Sequence, residues 1–139
     1  MKGKKLYFLA FLIIFTILCG AIILRGQKKF KQVKIVDILN NPAKYDGKYI
    51  KVIGNYCGWK IPEDLLGPPT TSPPETRSDW IICDETGWIY VVAKGASPNL
   101  NPMEDYGQKI SIYAQVRTKT INNTVIPYLY PIKIETTEQ

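Results

Sequence analysis

The sequence predicts a mainly β protein, in which a small five-stranded barrel follows one N-terminal transmembrane helix. Two observations lead to this prediction. Residues 6–24 form an apolar run without a charge, and residues 35–139 contain alternating apolar segments separated by loops rich in proline and glycine. A chain of 139 residues has room for one small domain beyond the apolar run.

The apolar run 6–24 is long enough, at about 1.5 Å per helical residue, to cross the hydrocarbon core of a membrane. A basic N-terminal tail, 1–5, precedes it, and a basic tether, 25–34, follows it. This arrangement favours an uncleaved single-pass signal-anchor, with a cleaved signal peptide or a lipoprotein as the alternatives. Basic residues on both sides leave the orientation open, and the leading lysines favour an extracytoplasmic domain.

Residues 35–139 form the predicted barrel domain. Its first strand, 49–56, alternates apolar and polar side chains, whereas the five prolines of residues 58–78 indicate a long loop. Five strands with irregular connections match an OB-like Greek-key barrel, the oligonucleotide- and oligosaccharide-binding architecture. The later strands are a hairpin turning at Asp84–Gly87, a strand over Lys109–Arg117 and a last strand over Thr124–Glu135.

Three motifs carry a resemblance to a known grouping. They are an Ile-x-Asp-Ile-Leu-x-Asn-Pro-x-x-Tyr-x-Gly-Lys segment at 35–48, a Val-x-Gly strand at 52–54, and a tryptophan-rich hairpin that begins at Ser78. With these motifs the chain resembles prokaryotic membrane-associated proteins that carry an OB-fold domain. The resemblance implies a fold and a membrane anchor, and it implies no substrate.

The composition excludes several kinds of site. The chain has no histidine, which excludes Ser-His-Asp and Cys-His catalysis and every histidine-ligated metal. Its three cysteines are too few for a four-thiolate zinc site. The acidic pairs at 63–64, 84–85 and 104–105 lie in predicted loops and match no EF-hand spacing. We therefore expect a protein that is not an enzyme, with no catalytic residue, no metal and no cofactor.

The distribution of charge restricts the partners. The formal net charge of +6 comes from residues before 35, because residues 35–139 hold 10 basic and 12 acidic side chains. A nucleic-acid-binding domain normally has a basic surface of its own, so this balance argues against nucleic acid as the partner. The expected partners are the lipid bilayer and another membrane or envelope protein.

Aromatic side chains mark the predicted contact surface. All four phenylalanines precede residue 31, so the barrel aromatics are tryptophan and tyrosine, which combine an apolar body with a polar tip. We predict a membrane-anchored, non-catalytic binding module that makes contact through outward strand faces and the 58–78 loop. The alternative is a membrane-tethered, single-stranded nucleic-acid-binding domain whose aromatics stack on bases. The predicted contact residues are Tyr56, Trp59, Arg77, Trp88, Tyr90 and Tyr113.

Two cysteines of the domain, Cys57 and Cys83, are predicted to remain separate thiols. If the first two strands pair directly across the loop, Cys57 lies opposite Asp79. Cys83 is then about 13 Å further along the ladder, at about 3.3 Å per residue. A disulfide requires Cα atoms within about 7 Å of each other.

Overall fold

The structure is a computed structural model that describes residues 2–24 and 28–137, with only the backbone described at residues 2 and 18–24. Three helices and six strands occur in these ranges. The helices are α1 (Lys2–Leu24), α2 (Ile35–Asn40) and α3 (Pro42–Tyr45). The strands are β1 (Lys31–Gln32), β2 (Tyr49–Gly58), β3 (Trp80–Asp84), β4 (Gly87–Val91), β5 (Lys109–Ile121) and β6 (Thr124–Thr136).

Strands β2 to β6 close into a barrel. The order around it is β2-β3-β4-β6-β5, and β5 pairs again with β2. All pairs in the ring are antiparallel except β4 and β6, which are parallel. This closed five-stranded ring confirms the predicted mainly β class and the OB-like barrel.

The alternation of side chains along β2 and β5 fills the barrel interior. Val52 and Ile112 lie opposite each other in the β2–β5 ladder, and both are fully buried, as the period of two predicts. Ile35 and Ile38 of α2 are also fully buried and join the same core. Helix α2 therefore closes the end of the barrel next to the β3–β4 turn, where the Asp84 carboxylate accepts a hydrogen bond from the Ile35 N–H at 3.0 Å.

The predicted single-pass membrane segment is contradicted. Helix α1 spans Lys2–Leu24, and its described side chains are those of residues 3–17. Lys4 and Lys5 lie within this stretch. In the part of the chain that the structure describes, no helix is both long and apolar enough to cross a membrane. The prediction of a single-pass membrane localisation was therefore wrong. Of the predicted basic tether, residues 25–27 lie outside the described residues.

The prediction of separate thiols was also wrong, because Cys57 and Cys83 form a disulfide with their Cα atoms 6.3 Å apart. The register of β2 and β3 explains the difference. Tyr56 lies opposite Ile82 and Gly58 lies opposite Ile81, so the residues around Cys57 do not face Asp79 as the prediction assumed, and the ladder shifts between Tyr56 and Gly58. This shift places Cys57 at the irregularity, within reach of Cys83.

Candidate functional site

The outer face of β3 and β4 is covered by residues 59–79, here called the covering loop. Both strands are buried on both faces, and the second cluster of buried side chains lies between them and this loop. The backbone N–H of Trp88 donates to the Leu66 carbonyl at 2.8 Å, and the Tyr90 hydroxyl donates to the Thr71 carbonyl at 2.7 Å. Gly67 lies so close to the Trp88 indole that a Cβ atom there would overlap the ring.

Hydrogen bonds to the Asp79 side chain hold the C-terminal end of the covering loop in place. Its carboxylate is almost fully buried and accepts hydrogen bonds from the N–H groups of Glu75, Thr76 and Ala93 and from the Thr76 hydroxyl, at 2.8–3.0 Å. Burial alone would raise the pKa of Asp79, but these hydrogen bonds outweigh burial and hold that pKa below its usual value. The ionised carboxylate therefore stabilises the closed loop.

The structure divides the six predicted contact residues into two groups. Tyr56, Trp88 and Tyr90 are buried, with exposed fractions of 2%, 4% and 5%. Tyr56 packs on Trp80 in the barrel core, with ring centroids 5.1 Å apart, and burial raises the pKa of its hydroxyl. A partner does not reach these three side chains on the folded surface.

Trp59, Arg77 and Tyr113 remain at the surface, but at different places. Arg77 lies near the end of the covering loop and is exposed, and Tyr113 is half-buried on the outer face of β5. Trp59 directly follows β2 and is 49% exposed. A large aromatic side chain with half of its surface in water is a candidate for a contact site.

Trp59 forms part of a cleft of about 760 Å³. Tyr106, which is 44% exposed, provides a second ring, and Met103 lies exposed in the adjacent connection. The disulfide residue Cys57 lies in the cleft wall. The lining residues, here called the aromatic cleft, are Cys57, Trp59, Lys60, Ile61, Pro62, Glu63, Asp64 and Tyr106.

The chain around Trp59 is held by the β4–β5 connection. Gly58 adopts a positive φ of 53°, and a Cβ atom there would overlap the Pro102 carbonyl, so only glycine allows this approach. The backbones of Tyr56 and the 107–108 segment exchange two hydrogen bonds of 2.8 Å. Trp59 and Tyr106 are therefore presented from two backbone segments that are bonded to each other.

The turn that precedes Tyr106 is closed by its own hydrogen bonds. The backbone N–H of Asn101 donates to the Asp105 carboxylate at 2.6 Å, and the backbone N–H of Asp105 donates to the Asn101 carbonyl at 2.9 Å. The Asn101 side chain also accepts from the Met103 N–H at 2.9 Å. These bonds give the cleft rim a defined shape without a regular helix or strand.

The charge at the aromatic cleft is mainly negative. Glu63 and Asp64 line it together with a single basic side chain, Lys60, and the adjacent turn adds Glu104 and Asp105. Burial is the main cause that raises the pKa of the nearby Tyr56 hydroxyl, and the negative charge of Asp105 raises this pKa further. An anionic ligand meets repulsion here, and a cationic one meets attraction.

Trp59 was among the contact residues predicted from the sequence, whereas Tyr106 and Met103 were not. Both lie in the irregular connection between β4 and β5, which approaches the residue before Trp59 at the contact between Gly58 and Pro102. A weak signal was present in the sequence, since Tyr106 stands beside Gly107 in a polar segment without strand periodicity. Among the described residues, no group of three or more cysteine or carboxylate side chains is placed to hold a metal ion.

Comparisons with known proteins add little to this geometry. No protein-family model matches the chain, and no curated protein matches it. Among solved structures, a crystal structure described as an aspartyl-tRNA synthetase from Leishmania major Friedlin is similar, with a TM-score of 0.45 and 12% identity. The match covers 80% of this chain and 21% of that chain. The OB-like assignment therefore depends on the strand order, and the comparisons give no support to the prokaryotic, membrane-associated part of the resemblance.

Proposed function

We propose that the protein is a non-catalytic binding module and that the aromatic cleft is its contact surface. The observation that carries the proposal is the half-exposed Trp59, which lines a 760 Å³ cleft together with Tyr106. Exposed tryptophan and tyrosine side chains at a preformed concave surface are the residues that most often dominate binding energy.

The charge of the cleft indicates the kind of partner. Aromatic ring faces attract lysine and arginine side chains, and carboxylates such as Glu63 and Asp64 form charge-assisted hydrogen bonds with them. We therefore propose that the cleft binds a lysine- or arginine-containing segment of another protein. The apolar side chains in its wall, Ile61 and Pro62, suit the aliphatic part of such a segment.

The covering loop also favours this cleft over the face that OB domains use for oligonucleotides. That face lies on the second and third barrel strands, which are β3 and β4 here. A nucleic-acid-binding function of that kind would need Trp88 and Tyr90 to stack on bases, and both side chains are buried under the covering loop.

A peptide selection tests the proposal. A random 12-residue library is selected on the full chain, and the recovered peptides are titrated against Trp59→Ala and against Tyr113→Ala as the control for loss of a surface ring. We expect enrichment of lysine and arginine over aspartate and glutamate in the recovered peptides. Truncation of a central aromatic contact removes about 2 kcal/mol or more, so Trp59→Ala should weaken binding at least tenfold.

Two controls distinguish peptide binding at the aromatic cleft from non-specific binding. Tyr113→Ala should change the affinity less than twofold, because Tyr113 lies on the β2–β5–β6 face and not in the cleft. Glu63→Gln with Asp64→Asn should weaken binding and reduce its salt dependence, since two carboxylates are neutralised. Selected peptides that are acidic, or that bind Trp59→Ala as well as the unaltered chain, would show that the proposal is wrong.

A further inference from the structure

A second, smaller pocket shares Trp59 with the aromatic cleft. It has a volume of about 150 Å³, whereas the cleft has about 760 Å³, and Trp59 is the residue that lines both. The pocket, here called the side pocket, is lined by residues that include Tyr56, Trp59, Trp80, Ala93, Leu100 and Pro102. A segment that contacts Trp59 in the cleft is therefore next to the side pocket as well.

The side pocket differs from the aromatic cleft in charge. None of its described lining residues is charged, and apart from two serines they are aromatic, aliphatic or proline. Tyr56 and Trp80 are its buried lining residues, and their rings pack with centroids 5.1 Å apart. The cleft, in contrast, contains Lys60, Glu63 and Asp64. The side pocket therefore favours an apolar group, because a charged group would lose hydration there without gaining a partner of opposite charge.

Contacts between separate segments of the chain fix the shape of the side pocket. The Asp79 carboxylate accepts a hydrogen bond from the Ala93 N–H at 3.0 Å, which links the start of β3 to the segment after β4. Gly58, at the end of β2, approaches the Pro102 carbonyl so closely that a Cβ atom would overlap it. Because these walls are in place before a ligand arrives, little ordering is lost on binding.

The volume of the side pocket corresponds to one side chain. Pockets that bury whole small molecules have about 300–1,000 Å³, which is at least twice the volume found here. An apolar cavity of about 150 Å³ holds a molecule of the size of benzene. The side pocket therefore has room for one side chain of the size of leucine, isoleucine or phenylalanine.

We propose that the side pocket binds one apolar side chain of the same segment whose lysine or arginine occupies the aromatic cleft. This inference rests on the function proposed for the cleft, and it adds a second feature by which the partner is recognised. The partner segment has a basic residue and an apolar residue at a fixed spacing, and Trp59 contacts both. The apolar contact adds affinity that salt does not screen, unlike the ionic contacts of the basic residue.

The peptides selected on the full chain provide the first test. We expect one position to be dominated by leucine, isoleucine, methionine or phenylalanine, at a fixed distance in sequence from the enriched lysine or arginine. Replacing that apolar residue by alanine should weaken binding about tenfold or more, because most of a buried side chain is removed.

Variants of the lining residues provide the second test. Ala93→Leu should reduce the free volume of the side pocket and weaken binding of a selected peptide at least fivefold more than binding of its alanine-substituted form. Ala43→Leu adds the same side chain at an exposed position of α3 and should change either affinity less than twofold. Leu100→Ala enlarges the pocket and should shift the preference at the apolar position toward phenylalanine and tryptophan. Circular dichroism checks that each variant is folded.

An uncharged probe tests the side pocket without a basic residue. The ¹⁵N-labelled chain is titrated with millimolar N-acetyl-leucinamide and, as the control, with N-acetyl-glycinamide. We expect the leucine derivative, and not the glycine derivative, to shift the backbone signal of Leu100 and the indole signal of Trp80. Ala93→Leu should reduce these shifts, whereas Ala43→Leu should not.

Three results would overturn the inference. Peptides that depend on Trp59 and on a basic residue, but keep their affinity with alanine at every other position, would show that the cleft acts alone. Equal losses in Ala93→Leu and Ala43→Leu would remove the side pocket as the site. An unchanged Leu100 signal with N-acetyl-leucinamide would show that the pocket takes no apolar side chain. If no basic peptide is recovered, the function proposed for the cleft fails, and the leucinamide titration alone decides what the side pocket binds.

Discussion

Removing the indole of Trp88 tests whether the covering loop is packed on the barrel. Trp88 is 4% exposed, and a buried aromatic side chain of its size removes about 150–250 Å² from water. At about 25 cal/mol per Å², this burial corresponds to roughly 4–6 kcal/mol as an upper estimate. We expect Trp88→Ala to lower the free energy of unfolding by about 3–5 kcal/mol, in the range of other buried tryptophan truncations. Trp59→Ala, with half of its side chain already in water, should lower it by about 1–2 kcal/mol.

Urea denaturation followed by circular dichroism measures both losses, because this signal does not depend on the deleted tryptophan. Gly67→Ala tests the loop contact itself, since its Cβ atom would overlap the Trp88 indole and overpacking costs about 1–3 kcal/mol. Ser72→Ala, at an exposed position of the same loop, should stay within about 0.5 kcal/mol of the unaltered chain. Equal losses for Trp88→Ala and Trp59→Ala, or none for Gly67→Ala, would refute the packed loop.

Three further predictions concern the core, pH and the disulfide. Ile112→Ala should lower the free energy of unfolding by about 2–4 kcal/mol, because Ile112 is fully buried, whereas Lys51→Ala should be near neutral. Equal losses in urea melts would contradict the assignment of inward and outward side chains in β2 and β5. Asp79→Asn should destabilise the chain by about 1.5–3 kcal/mol at pH 7. The pKa of Asp79 is lower in the folded chain than its value of about 3.9 in the unfolded chain, so the stabilisation is complete above about pH 3.9 and is lost as pH falls through the folded-state pKa. In urea melts, the difference in unfolding free energy between the unaltered chain and Asp79→Asn should therefore be smaller at pH 2.5 than at pH 7. Cys57→Ser with Cys83→Ser, compared with the oxidised chain, should lower stability by about 3.5 kcal/mol for a sequence separation of 26; a chain that is equally stable without the bridge would contradict it.

The strands were predictable because their periodicity is local. Residues 49–56 and 109–117 alternate between apolar and polar side chains, and both segments lie inside strands of the structure. The turn over Asp84–Gly87 was also predictable, because Gly87 follows a polar turn between two β-branched segments. Closure of the barrel then follows from pairing each strand so that its apolar side chains point inward.

The exposure of the predicted contact residues was harder to predict, because it depends on a distant segment. Trp88 and Tyr90 were expected on an outward face, and the covering loop buries that face. A signal was available, since β3 and β4 are almost continuously apolar, which is typical of strands buried on both faces. The proline-rich composition of residues 58–78 indicated a loop but contained nothing that fixed where the loop would lie.

The disulfide and the N-terminal segment were predicted wrongly from the sequence for two other reasons. The ladder shift between Tyr56 and Gly58 brings Cys57 to Cys83, and a shift of this kind leaves no mark on side-chain alternation. The uncharged composition of residues 6–24 predicted a membrane crossing, whereas no helix of the described residues meets the length and apolarity that crossing requires.

The most direct test of the proposed contact surface is a nuclear magnetic resonance titration of the ¹⁵N-labelled chain with a selected basic peptide. The three tryptophans give three indole N–H signals, which Trp59→Phe, Trp80→Phe and Trp88→Phe assign. We predict that the peptide shifts the Trp59 indole signal and the backbone signals of Tyr106 and Asp64, while the Trp88 indole signal stays in place because the covering loop buries it. A shift of the Trp88 signal with an unchanged Trp59 signal would contradict the assignment of the aromatic cleft as the contact surface.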